Sequence, residues 1–310
     1  MRVRGLDVPD VDTAKRFLAY VNYYRFTGYC LRFQRFDDVK KDRVFNDGVC
    51  FDDIYDLYVF DRNLRDCVSE ALECVEIGFR ATVAYYFSKL NGAFGHLNTD
   101  RFERKFVAHP TDRFGNPMVN PDHSPKRSGY ELWHDDIINE TQRSNEIFIN
   151  HFKQTYTEFP DLPIWVALEI CSFGTLSKMF AHMLRCDMRP IATRYSLQAS
   201  TLNSWMHSFV YVRNICAHHG RLWDKQLAIA PELPPGKMWQ HLHGAHKQIY
   251  TSIMMLNWML SCSHYDDASQ MAWKARVETL IDGFFVRFPA LVPYTGFPND
   301  WKSVAVWAKV

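Results

Sequence analysis

Apolar residues recur at three- and four-residue steps over most of this chain, and the places where that rhythm fails divide it into segments. The longest run covers about 51–90. Ile54, Leu57, Leu64, Val68, Leu72, Val75, Phe79 and Val83 fall on one helical face there; no Pro interrupts, and Gly78 is the only Gly. The pattern predicts one long helix, or two joined by a break near Asp61. Upstream, Pro9 with Asp10 and Asp12 starts a predicted helix over about 11–25. The charged stretch 36–48 reads as a loop, with Asn46, Asp47 and Gly48 as its turn.

Between 92 and 129 the periodicity dissolves into Asn, Asp, Gly, Pro and His, with Asn116-Pro117 and Asn120-Pro121 marking turns. The basic piece 101–105 suits a short helix. A segment of this length is a substrate loop or a solvated insertion, and its polarity favours the insertion. Helical rhythm returns over 130–156, is broken by Pro160 and Pro163, and resumes over 164–184 up to Met188-Arg189-Pro190. A further helix fits 201–219, with Ser200 as N-cap and Gly220 as the stop. Beyond the linker prolines Pro231, Pro234 and Pro235, stretches 236–262 and 269–288 are helical, and an aromatic, Pro-rich tail follows. The chain therefore predicts an all-α, multi-helix fold with one irregular insertion around 92–129.

Composition narrows this reading. With 47% apolar and 23% charged residues, the 310-residue chain has ample material for a core and too little charge for disorder. The formal net charge is +1, which argues against a protein that coats long polyanions nonspecifically but leaves room for a local nucleic-acid site. The 15% aromatic share is explained first by a bulky core, with stacking on unpaired bases as the alternative. None of the eight cysteines forms a CxxC pair, no apolar run approaches 18 residues, and no signal-peptide pattern leads the chain. A cytoplasmic protein with reduced, mostly buried thiols and no membrane contact is expected.

The candidate chemistry lies on the 201–219 helix. Arg213 and Asn214 are followed by His218, His219, Gly220 and Arg221. A permanent cation and a group that titrates near neutrality suit phosphodiester cleavage: the cation neutralises charge building on phosphorus, and the imidazole moves a proton. A helical wheel puts Trp205, Phe209, Val212 and Cys216 on a core stripe. His207, Tyr211, Asn214, His218 and Arg221 fall on a second stripe that is neither apolar nor rich in Lys and Glu. Five positions of helix set Arg213 and His218 roughly 140° apart, so one straight helix cannot easily bring both to one phosphate. Either the helix distorts near His218, or two copies share a site.

The string RNICAHHGRLW resembles the signature of the Abi-like family of abortive-infection proteins (the AbiD/AbiF type), and its Arg-polar-x-x-x-His core that of HEPN ribonucleases. Four further blocks carry the resemblance in order: YYRFTGY from Tyr23, FDRNLR from Phe60, the Glu76-x-x-x-Arg80 pair, and Glu169 followed by SFGTL from Ser172. The resemblance implies one helical domain over 1–310, with a motif-bearing HEPN-like core at about 130–290 and an N-terminal helical part at about 1–91. It also implies an abortive-infection toxin that cleaves RNA without a metal or other cofactor. Arg213, Asn214 and His218 would be catalytic, in a composite site between two subunits. His219, Arg221, His207 and Tyr211 are candidates for RNA contacts or support. Arg221 could instead cap the helix, and His207 and Tyr211 could pack an interface. Asp61, Arg65, Glu76, Arg80 and Glu169 are expected to support the motif helix, chiefly through ion pairs. An antitoxin, small RNA or protein, is an expected partner. The rival readings are a non-catalytic dimer that binds RNA or protein, and a protein that works beside a nucleotidyltransferase. His241, His243 and His246 offer no zinc pattern, since 241 is off the face of the other two and no Cys stands at ligand spacing.

Overall fold

The computed structural model describes residues 1–262 and 266–308. Its elements in chain order begin with α1 (Val11–Val21) and α2 (Tyr23–Cys30), followed by a hairpin of β1 (Gln34–Asp37) and β2 (Asp42–Phe45). The long α3 (Phe51–Asn91) follows. Then come α4 (Arg104–Val107), α5 (Gly129–Arg143), α6 (Ile147–Thr155), α7 (Ile164–Ile170), α8 (Phe173–His182) and α9 (Arg185–Arg194). The chain closes with α10 (Ala199–Ala217), α11 (Ile249–Cys262), α12 (Asp267–Arg287) and α13 (Ala305–Ala308). The fold is all-α, and the one sheet among the described residues is the antiparallel β1–β2 pair.

Helix α3 is the mast of the molecule. It runs unbroken through Asp61 for 41 residues, about 60 Å at 1.5 Å per residue. The eight positions of its predicted stripe are all exposed by 2% or less. Around it pack α7, α9, α10, α11 and α12. Phe60 stacks on Phe284 of α12 at 4.2 Å between ring centres, and Phe79 meets Phe180 of α8 edge-on at 5.2 Å. Helix α11 is buried on nearly every side, as a helix apolar all round must be.

Several boundaries differ from the sequence expectation, each for a local reason. The helix expected over 11–25 is two, because Asn22 takes φ +72° and its side chain caps Tyr24. The expected loop at 36–48 overlaps the hairpin, whose second strand is anchored in the core by Val44 and Phe45. The stretch 130–156 holds two helices, α5 and α6. The run 164–184 also breaks, at Cys171, where the Ser172 hydroxyl accepts from the Thr175 amide and starts α8. Pro190 does not end an element but lies inside α9. Of 236–262, only a 3₁₀ turn at Lys237–Leu242 and α11 are helical. The insertion is anchored at its start by Phe102 and Phe106, which pack with Trp133 in the core, while 111–119 is exposed.

Candidate functional site

Helix α10 begins at Ala199 after an uncapped Gln198, so Ser200 is not the N-cap, and it ends at Ala217. Its core stripe is as expected: Trp205, Phe209, Val212 and Cys216 are all buried, and burial pushes the Cys216 thiol up to about 11. His207, Asn214 and His218 are exposed and Tyr211 is half-buried.

The helix stops in a Schellman turn. The His219 amide donates to Cys216 O at 2.9 Å, and the Gly220 amide donates to Ile215 O at 2.8 Å. The left-handed position belongs to His219, with φ +55°, and not to Gly220. Gly220 is needed for a different reason: a Cβ there would stand 3.0 Å from Ile215 Cγ2 and 3.2 Å from Ile215 O. Thus the helix ends at Ala217, about one turn after Arg213, and His218 occupies the capping position with φ −89°, ψ 13°.

The turn is gripped from two sides. Asp61 on α3 is fully buried, and its carboxylate accepts from the amides of Leu222 (3.0 Å) and Trp223 (2.8 Å), from the Tyr29 hydroxyl (2.6 Å), and from Arg65. Arg65 also donates to Gly220 O at 3.2 Å. From α2, Arg25 donates to His219 O. Arg221 in turn donates to Gly28 O, and its Nε stands 2.9 Å from Asp224, which Arg32 also pairs at 3.1 Å. The backbone from 219 to 223 is thereby fixed by charged hydrogen bonds, while the His218 imidazole makes no hydrogen bond or ion pair among the described residues.

One helical turn back, Arg213 belongs to a second group on α3. Glu76 Oε1 pairs with Arg80 at 2.7 Å, and Glu76 Oε2 lies 4.0 Å from Arg213 Nε. Arg80 also donates to the carbonyls of Glu169 (3.0 Å) and Cys171 (3.1 Å), which ties the α7–α8 break to α3. Burial raises the Glu76 carboxyl, and the two arginines oppose that rise. Arg213 Nη1 donates to Asn214 Oδ1 at 3.2 Å.

A family profile described as Abi-like protein matches residues 16–224. The chain belongs to the Abi-like family. No curated protein and no solved structure matches it. The matched span of this Abi-like chain ends at Asp224, the last residue of the grip around the turn. The five sequence blocks that carried the resemblance therefore converge on the last part of α10: the Tyr23, Phe60 and Arg213 blocks around 218–224, and the Glu76 and Ser172 blocks behind Arg213.

Among the expected site residues, the fold brings Arg213, Asn214, Glu76 and Arg80 together in one group, and gathers Asp61, Arg65, His219 and Arg221 around the turn at 218–224. No hydrogen bond or ion pair links Arg213 to His218 among the described residues. His207 lies about three turns up the helix from His218. Glu169 contributes its carbonyl, and its exposed carboxylate makes no ion pair with Arg213 among the described residues. Arg221 makes no hydrogen bond to a carbonyl of α10 among the described residues; its guanidinium engages Gly28 O and Asp224. Arg25, Tyr29, Arg32 and Asp224 were not expected to take part. Their partners are 3 to 194 positions away, and the Tyr23 block was the only signal available. Among the described residues no cluster of His, Cys, Asp and Glu could hold a metal ion, and no helix is long and apolar enough to cross a membrane. His246 Nδ1 contacts His243 O at 2.9 Å, while His241 turns toward Tyr250.

Proposed function

We propose that this Abi-like protein is an abortive-infection toxin of the HEPN type, acting in phage defence as a metal-independent endoribonuclease. The observation that carries the reading is the state of the motif: Arg213 is braced from behind by Glu76, the backbone beside His218 is rigidly held, and the side chains of Asn214 and His218 face solvent. Such a constellation suits a reacting group brought from outside. The reaction is attack of a ribose 2′-oxygen on the adjacent phosphorus with expulsion of the 5′-oxygen. His218 takes the 2′ proton or delivers one to the leaving oxygen, and Arg213 stabilises the charge on the non-bridging oxygens. The products are a 2′,3′-cyclic phosphate and a 5′-hydroxyl, and DNA is inert because it lacks the nucleophile.

Because Arg213 and His218 are not joined within one chain, the reading includes a homodimer in which each subunit completes the other's site. A small RNA or protein antitoxin would restrain it. The test is incubation of wild type and His218→Ala with total RNA, tRNA and matched DNA in EDTA, followed by end mapping. Intact RNA after treatment with folded wild type, in monomeric and dimeric preparations alike, refutes the catalytic reading. One observation favours a second reading, a non-catalytic dimer that binds RNA or protein: Glu76 partly neutralises Arg213, which weakens it as an electrophile while leaving it a good hydrogen-bond donor.

A further inference from the structure

Beside the gripped turn, the start of α2 forms a feature that the reaction above does not use. A cavity of about 350 Å³ lies between α2, the chain start and the hairpin, lined by Tyr23, Tyr24, Thr27, Gly28, Arg4 and Arg43 among others. Tyr24 is 86% exposed and Tyr23 is 51% exposed. Exposed aromatic rings occur elsewhere on this surface, Tyr20 and Phe114 among them, but Tyr23 and Tyr24 are consecutive and line one cavity together. The cavity is joined to the motif directly. Gly28 in its wall accepts from Arg221, and Arg25, the residue after Tyr24, donates to the carbonyl of His219.

The chemistry of the lining is that of a base-stacking site. Tyr side chains offer flat faces at small entropic cost, and every nucleobase has a π-face to meet them. Arg43 makes no ion pair among the described residues, whereas Arg4 is held by Asp42 at 3.0 Å, so one guanidinium at the rim is free for a phosphate. The volume is at the lower end of small-ligand pockets, which suits a single nucleotide and excludes a duplex. A net charge of only +1 leaves recognition to such local groups.

We propose that Tyr23 and Tyr24, with Arg43, form a platform for an unpaired nucleotide of RNA and so position the strand for the motif at His218. The proposal rests on the ribonuclease reading only in taking RNA as the ligand. Its test separates the two by measuring binding and cleavage in different proteins. Binding of a fluorescein-labelled single-stranded RNA and of a hairpin stem is followed by anisotropy in the His218→Ala background. There Tyr23→Ala with Tyr24→Ala should weaken single-strand binding about tenfold or more, given the usual worth of one stacked base. The Tyr23→Phe, Tyr24→Phe pair should restore it, since stacking needs the ring and not the hydroxyl. Cleavage is then scored in proteins with His218 intact. Tyrosine-dependent binding with no cleavage by wild type would keep the platform and sink the ribonuclease. Cleavage with binding indifferent to both tyrosines would do the reverse. The platform is also overturned if the Phe pair fails like the Ala pair. It is equally overturned if the Ala pair changes the sedimentation mass and not the RNA affinity, because the rings would then belong to a contact between copies.

Discussion

Replacing Asp61 with Ala is the most demanding test of how the motif is held. Asp61 has no exposed surface, and its carboxylate serves Tyr29, Arg65 and two backbone amides. The substitution leaves Arg65, 5% exposed, without a counter-charge. Breaking a buried ion pair on one side costs roughly 3–5 kcal/mol. The orphaned amides of Leu222 and Trp223 add on the order of 1 kcal/mol each if water reaches them. The sum, about 5–7 kcal/mol, is comparable to the whole stability of an ordinary domain, roughly 5–15 kcal/mol. Asp61→Asn keeps one oxygen for the two amides but also leaves Arg65 without a counter-charge, so it should recover only the roughly 2 kcal/mol of the amides. Urea unfolding of the wild type and both variants gives the energies, and amide hydrogen exchange at Leu222 and Trp223 shows where the loss falls. If the penalty comes from an uncompensated cation, adding Arg65→Met to Asp61→Ala should recover part of it. A loss below about 1 kcal/mol for Asp61→Ala, or unchanged exchange at the two amides, would refute the argument.

Three further outcomes are expected. Burial, aided by the nearby charge of His134, lowers the His96 imidazole to about 4. The unfolded chain then binds a proton that the folded one does not, so stability is full above about pH 6.5 and falls as pH drops toward 4, by roughly 3 kcal/mol in all. His96→Phe should remove about one proton from that dependence in urea titrations at several pH values; an unchanged slope would contradict it. His219→Gly should raise the melting temperature, because φ +55° strains a residue with a Cβ by about 1 kcal/mol. Gly220→Ala should lower it through the contact with Ile215. Arg213→Ala and His218→Ala should each abolish RNA cleavage while shifting stability by about 1 kcal/mol or less, since both side chains retain solvent access; a variant that unfolds would make the motif structural.

Local pattern alone determined much of this molecule. The stripe from Ile54 to Val83 could be read as a buried helical face because period and side-chain type are properties of neighbouring residues. The core stripe of α10 followed by the same logic, and so did the all-α class. The sequence left a break at Asp61 open, and the tertiary structure decided against it: a buried carboxylate is tolerated inside a continuous helix when Tyr29, Arg65 and two distant amides satisfy it. Nor could spacing reveal that Arg221 is occupied, that Glu169 acts through its carbonyl, or that His219 rather than Gly220 takes the left-handed turn. Each depends on atoms brought together from positions far apart in the chain. Candidate chemistry was visible as residue types in a motif. Which of those residues are held, which are neutralised and which are left facing solvent was settled by packing around α3, because a hydrogen bond between residues 25 and 219 leaves no trace in the spacing of either segment.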